Sequence, residues 1–283
     1  YYRLLLQTWD ENYTALLWNA TLSSYVKTFY SDPEHNALMQ AQLDAAWEVA
    51  DDTVRQRIAP IRDAFMECSA FVSDQAESVT AKRTTATQAE ILAEFDMSSD
   101  IWSAATPATR FLHTKTGLPV EGTETRVRLL WNDTTLFVAY ENFDDRMSEL
   151  VAAGLNSAGN WWSSASDDVE TYIGSENPKG NPNANFRVFF TNPDGDQIVY
   201  EAGPTYVADP GEWNAATKLF DDRWVVIQAI PFTQLGIDSV TAGTTLFGYF
   251  YREFNKDGTA HYIGWNGSHV WQYSEFQPIT LVD

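Results

Sequence analysis

Val127-Arg128-Leu129-Leu130-Trp131 and Leu136-Phe137-Val138-Ala139-Tyr140 flank the polar tetrad Asn132-Asp133-Thr134-Thr135. Apolar runs on both sides of a short Asn/Asp/Thr turn specify a β-hairpin. Working outward, further strand patterns fall at 169–173, 186–191, 197–201, 223–230, 245–253 and 259–264. Turn clusters such as Asn192-Pro193-Asp194-Gly195 and Lys256-Asp257-Gly258 separate them. Many short strands with regular turns and little helix predict a mainly β domain, an antiparallel β-sandwich, over residues 91–283.

Upstream the period changes. Val54, Ile58, Ile61, Phe65, Cys68 and Val72 are spaced 4-3-4-3-4, which puts all six on one helical face and makes Cys68 a core residue rather than a nucleophile. Asp32-Pro33 announces a preceding helix with Met39, Leu43, Ala46 and Ala50 on one side. An earlier helix spans roughly 10–29, giving a three-helix segment over 1–77, with Pro60 expected to kink the third. Three helices bury little surface alone, so the segment is expected to be the C-terminal part of a larger domain. Residues 78–90, rich in Thr and Ala and without periodicity, are expected to be a linker.

Composition narrows the function classes. The chain has 283 residues, 18 basic against 39 acidic, and a formal net charge of −21, which disfavours nucleic acid and anionic lipid as partners. It fits an extracellular or cell-surface, secreted setting. One cysteine forms no intramolecular disulfide, and four histidines make no cluster with zinc spacing. No apolar run is long enough for a transmembrane helix. Neither a Gly-x-Ser-x-Gly elbow nor a fixed carboxylate pair argues for catalysis, so an enzyme is not expected. Eleven tryptophans are the unusual feature. Trp102, Trp131 and Trp224 sit in opening or strand patterns and are expected in the core. Trp161 and Trp162 are adjacent in a polar loop, where both cannot face one core, so at least one is expected in solvent.

Four stretches, in order, resemble the family 9 carbohydrate-binding modules. They are Glu94-Phe95-Asp96-Met97-Ser98-Ser99-Asp100-Ile101-Trp102, the hairpin from Val127 to Tyr140, Trp161-Trp162 followed by Asp167-Asp168-Val169-Glu170, and a closing set. The closing set comprises Phe186-Arg187-Val188, Phe247-Gly248-Tyr249, Trp265 and Trp271-Gln272-Tyr273-Ser274-Glu275-Phe276. The residues from Leu43 to Arg57 are similar to the helical tail of uncharacterised glycoside-hydrolase-like proteins, which implies a catalytic barrel outside this chain. The resemblance implies non-catalytic binding of polysaccharide or oligosaccharide by a tryptophan clamp, with Trp271 as one jaw and Trp162 or Trp161 as the other. Stacking a sugar's C–H face on a stiff indole releases water at low entropy cost. The resemblance also implies Glu170, Arg187 and Arg252 as hydrogen-bonding partners of the sugar, although Glu170 and Arg187 read equally well as a cross-strand ion pair. Phe189 and Ser268 depart from the family pattern and imply a shifted specificity or lost binding.

Family members often carry structural calcium, and Asp96, Asp100, Asp144, Asp145, Asp167 and Asp168 are the hard oxygen donors to hand. A related haem-binding sandwich uses Met and His axial ligands; Met97, Met147, His113, His261 and His269 lack a diagnostic spacing, and no haem is expected. Glycosylation sequons stand at Asn12, Asn19, Asn132 and Asn266. A glycan on Asn266, between the closing tryptophans, would obstruct the clamp. The rival reading is an extracellular structural or filament protein that self-associates through the sandwich, with tryptophans as interface anchors.

Overall fold

The structure is a computed structural model that describes residues 33–73, 77–114, 118–150, 167–178, 181, 184–201, 205–206, 212–256, 259–267 and 276–283. The chain divides into two compact units, Tyr1–Ala76 with Lys115–Gly117, and Glu77–Thr114 with Leu118–Asp283. In the first, α1 (Pro33–Val49) starts at the proline that the Asp32-Pro33 pair marked, and α2 (Asp52–Ser73) continues through Pro60. Asp44 of α1 accepts from Arg62 of α2 at 3.0 Å, and the Arg62 guanidinium lies 5.1 Å from the centre of the Trp47 ring. Met39, Leu43 and Phe65 are buried, Ile58 and Ile61 half-buried, and Val54 exposed. The Cys68 and Val72 side chains and the helix expected over 10–29 lie outside what is described.

The second unit is one hydrogen-bonded sheet. Its strands are β1 (Val79–Arg83), β2 (Phe111–His113), β3 (Thr123–Trp131), β4 (Thr135–Asp144), β5 (Asp168–Gly174), β6 (Phe186–Thr191) and β7 (Gln197–Glu201). There follow β8 (Thr205–Tyr206), β9 (Asn214–Leu219), β10 (Arg223–Pro231), β11 (Thr245–Lys256), β12 (Thr259–Trp265) and β13 (Gln277–Val282). The spatial order is β8-β7-β6-β5-β11-β13-β1-β3-β4-β10-β9, with β12 pairing β11 and β2. The expected hairpin forms β3 and β4, and Asn132 Oδ1 accepts from the backbone N–H groups of Thr134 and Thr135 at 3.0 and 2.9 Å.

Two expectations are corrected here. The linker 78–90 is instead strand β1 followed by α3 (Gln88–Ala93). Val79 and Ala81 point inward while Thr80 points out, a period of two too short to register as a pattern. Thr87 and Glu90 close a capping box at the start of α3, which fixes where the chain turns into the helix. The sheet is also not wholly antiparallel, because β1 runs parallel to both β13 and β3.

The sheet folds over on itself, so β4 faces β5 although they lie far apart in the strand order. Tyr140 donates to the Glu170 carbonyl at 3.0 Å and lies 2.7 Å from Thr171 Oγ1. Thr171 in turn donates to Gln228 Oε1 at 2.6 Å. Around this buried polar chain the main core gathers Leu136, Val138, Val169, Ile173, Val226 and Phe250. The opposite face of the same hairpin is covered as well, by Ile91 of α3, Met97 and Trp102 over Leu130, Phe137, Val225 and Ile227. That double coverage explains why 136–140 is an unbroken apolar run. Each fully buried side chain such as Phe137 contributes roughly 1.5–3 kcal/mol relative to exposure. Trp102, Trp131 and Trp224 are all buried, as expected.

Candidate functional site

Strand β5 lies between β6 and β11. Its alternate residues Val169, Thr171 and Ile173 turn toward β4, which leaves Asp168, Glu170 and Tyr172 on the other face. Register carries the same face across to β11, where Glu253 stands opposite Asp168, Tyr251 opposite Glu170 and Tyr249 opposite Tyr172. On β12, Tyr262 stands opposite Glu253. Three carboxylates and four tyrosines therefore share one surface of three adjacent strands.

The rings are ordered along this face. Tyr172 and Tyr249 stack with centroids 4.2 Å apart and planes 13° from parallel, and Tyr251 and Tyr262 lie 6.1 Å apart at 21°. Tyr172 donates its hydroxyl to Glu170 Oε2 at 2.6 Å. Phe276 closes the Tyr249 end, 5.2 Å away and edge-on. Glu253 and Tyr262 are the partly exposed members, so access is from their end.

Burial dominates the electrostatics. It pushes the Asp168 and Glu170 carboxyls well above the usual carboxylate range, and mutual repulsion with each other and with Glu253 adds to the rise. Burial, then the charge of Asp167, pushes Glu253 up to about 7. The same burial raises the Tyr172 and Tyr251 phenols. One oxygen from each of Asp168, Glu170 and Glu253 lies within 4.8 Å of the other two. Such a face offers carboxylate oxygens that accept from hydroxyls or bind a hard cation, with the partly exposed Tyr262 ring at its open end.

The sequence-derived candidates separate on this geometry. Glu170 is on the face. Arg187 is not: Glu170 pairs with Phe190, three residues along β6, so Arg187 points to the opposite side. It donates to Glu201 at 3.0 Å and to Gln234, and the ion pair with Glu170 does not form. Arg252 also faces away. It is fully buried toward β4, donating to Asp144 Oδ2 and to the Phe143 carbonyl, each at 2.9 Å, which removes it from any sugar-facing rim. Trp161, Trp162, Trp271 and Ser268 lie outside the described residues, as do Asn12, Asn19 and His269. Phe189 is buried, edge-on to Trp213 at 5.1 Å.

The calcium candidates fare differently from one another. Asp144 is already neutralised by Arg252 and Arg146, and Asp145 pairs with Arg146 at 3.1 Å. Asp96 accepts from the backbone and hydroxyl of Ser98 in an exposed turn, and Asp100 is exposed. Asp167 is buried and accepts from the Asn255 N–H at 3.4 Å. Met97 lies in the second core, Met147 is half-buried, and the rings of His113 and His261 meet edge-on 6.0 Å apart. Asn132 sits at the hairpin tip. Asn266 is buried at a positive φ of 57°, with both ends of its amide bonded to the Glu77 backbone. The Tyr249-Tyr251-Glu253 row was visible as a period of two in β11, but only register across the strands brings it to Asp168 and Glu170.

No family model and no curated protein matches the chain. Solved structures do. A family 9 carbohydrate-binding module from Caldicellulosiruptor kristjanssonii, in complex with cellotriose, aligns with a TM-score of 0.52 at 19% identity. The alignment covers 73% of this chain and 94% of that one. The module from the same organism in complex with glucose gives 0.53 at 18%, over 72% and 95%. A protein from Bacteroides uniformis aligns over all of its length and 73% of this chain, at 17% identity and a TM-score of 0.55. The likeness is one of fold. Among the described residues no helix is long and apolar enough to cross a membrane.

Proposed function

We propose that the protein is a non-catalytic carbohydrate-binding module whose sugar site is the face of β5, β11 and β12. The observation that carries this is the row of tyrosine rings with Glu170 and Glu253 among them, on a fold shared with a module solved in complex with cellotriose. Carboxylates accept hydrogen bonds from sugar hydroxyls, and buried acceptors discriminate strongly against ligands that leave them unpaired. Trp271 with Trp162 or Trp161 supplies the clamp in this reading, and the module holds a larger secreted, glycan-active protein on polysaccharide outside the cell.

Titration calorimetry with cellotriose and xylotriose tests this directly. Binding by the full chain is expected, with Glu170→Gln and Trp271→Ala each removing it while the circular dichroism spectrum is unchanged. No binding to either sugar, or to a glycan array, would overturn the reading. Ordered polymers in electron micrographs of sugar-free protein would then favour the assembly role.

A further inference from the structure

We propose that Asp168, Glu170 and Glu253 together hold a hard divalent cation of the calcium class. Residues i and i+2 of β5 and the residue facing the first of them on β11 converge their carboxylates on one point. One oxygen of each lies within 4.8 Å of the others. A calcium shell at about 2.3–2.6 Å places any two of its oxygens no more than about 5 Å apart, so the three fit a single shell.

A second observation, distinct from proximity, concerns hydrogen bonding. Asp168 is buried, and its Oδ1 is shielded from solvent with no hydrogen-bond partner. Native proteins rarely leave a buried carboxylate oxygen unpaired, because the cost is several kcal/mol for a charged group. Among the described residues, no Lys, Arg or His is ion-paired with any of the three. The neighbouring guanidinium of Arg252 is turned to the opposite face and bound to Asp144. A cation satisfies Asp168 Oδ1 and the mutual repulsion at once. The donor set is all oxygen, without His or Cys, which selects calcium over zinc or copper. The partly exposed Glu253 and Tyr262 leave a route for the ion and for the waters that complete its shell.

The cation site shares Glu170 and Glu253 with the proposed sugar site, but its test contains no sugar. The full chain, stripped with EDTA and dialysed free of chelator, is titrated with calcium chloride by calorimetry and with terbium by tyrosine-sensitised luminescence. One saturable site is expected, with calcium competing for the terbium signal. Asp168→Asn and Glu253→Gln should each weaken calcium binding at least about tenfold, the smallest loss that even outer-shell changes produce. Both variants keep the side-chain size and relieve the crowding of three carboxylates, so in EDTA they should unfold at the wild-type temperature or above, which keeps lost binding distinct from lost fold. Stripped wild-type protein that binds neither ion would overturn the proposal. So would folded variants that bind calcium as the wild type does.

Discussion

Replacing Asp144 by alanine should be among the most destabilising single changes in the sheet, and the structure indicates why. Arg252 is wholly buried, and its guanidinium has three partners: Asp144 Oδ2 and the Phe143 carbonyl, each at 2.9 Å, and Thr125 Oγ1 at 3.4 Å. Burial lowers the Arg252 pKa to about 10 even with Asp144 beside it. Removing the carboxylate strands a buried cation, which costs about 3–5 kcal/mol. The reverse change is milder. With Arg252→Met, Asp144 retains the Arg146 backbone N–H at 2.9 Å and the Arg146 guanidinium at 3.5 Å. The double variant Asp144→Leu with Arg252→Met exchanges the pair for apolar packing and should fall close to the wild type. Urea unfolding followed by tryptophan fluorescence at neutral pH gives the three values and the coupling between them. A cost below about 1 kcal/mol for Asp144→Ala, or a double variant as unstable as the two single changes summed, would refute the argument. The proposed sugar binding should survive Arg252→Met, since the guanidinium faces β4.

Gln228→Leu should lower stability by about 1–3 kcal/mol for each buried group left unsatisfied, because Gln228 Oε1 accepts from Thr171 and its Nε2 donates to the Phe189 carbonyl and Thr191; thermal unfolding measures it. Gly248→Ala should part β11 from β5, since a Cβ there would sit 2.2 Å from the Tyr172 carbonyl. The expected cost is about 1–3 kcal/mol, with weakened calorimetric sugar binding if the proposed site on those two strands is the one used. The Glu90 carboxyl is held below its ordinary value by the Thr87 backbone N–H and then the Thr87 hydroxyl. A lowered folded pKa means that the cap's stabilisation is present above the ordinary carboxylate range and is lost as pH falls through the lowered value. Amide exchange at Thr87, corrected for intrinsic rate, should lose protection in that acid range and keep it in none of the Glu90→Ala variant.

Much of this architecture is legible without coordinates, for definite physical reasons. The hairpin at 127–140 and the strands of β5 to β7, β10, β11 and β12 carry strong apolar or alternating patterns that survive any choice of neighbour. β1, β9 and β13 do not. Val79 and Ala81 give only two inward positions, Asn214–Leu219 is a polar edge strand, and Pro278 interrupts the pattern of β13. The site divides along the same line. Glu170 could be found from its motif, whereas Arg187 and Arg252 were placed beside it by analogy and fell on the far face through the parity of the register. Parity across strands is a property of pairing, which one strand read alone does not contain. Glu253 was overlooked because nothing local marks a carboxylate whose partners lie more than eighty residues away.

Strand β1 has a kinetic meaning as well as a structural one. It is inserted between β3 and β13, and its register joins Val79 to Ile279, two hundred positions along the chain. Trp131 fastens the same seam by donating its indole N–H to the Val282 carbonyl at 2.9 Å. A polypeptide emerging from the ribosome therefore holds the first strand of the sheet open until almost the last has been made. Closure is a late, long-range event of the kind that slows folding and leaves strand edges exposed to other chains meanwhile. Substitutions that weaken the segment 277–283 should accordingly do more harm to yield than its length suggests, because they act on the step that closes the seam.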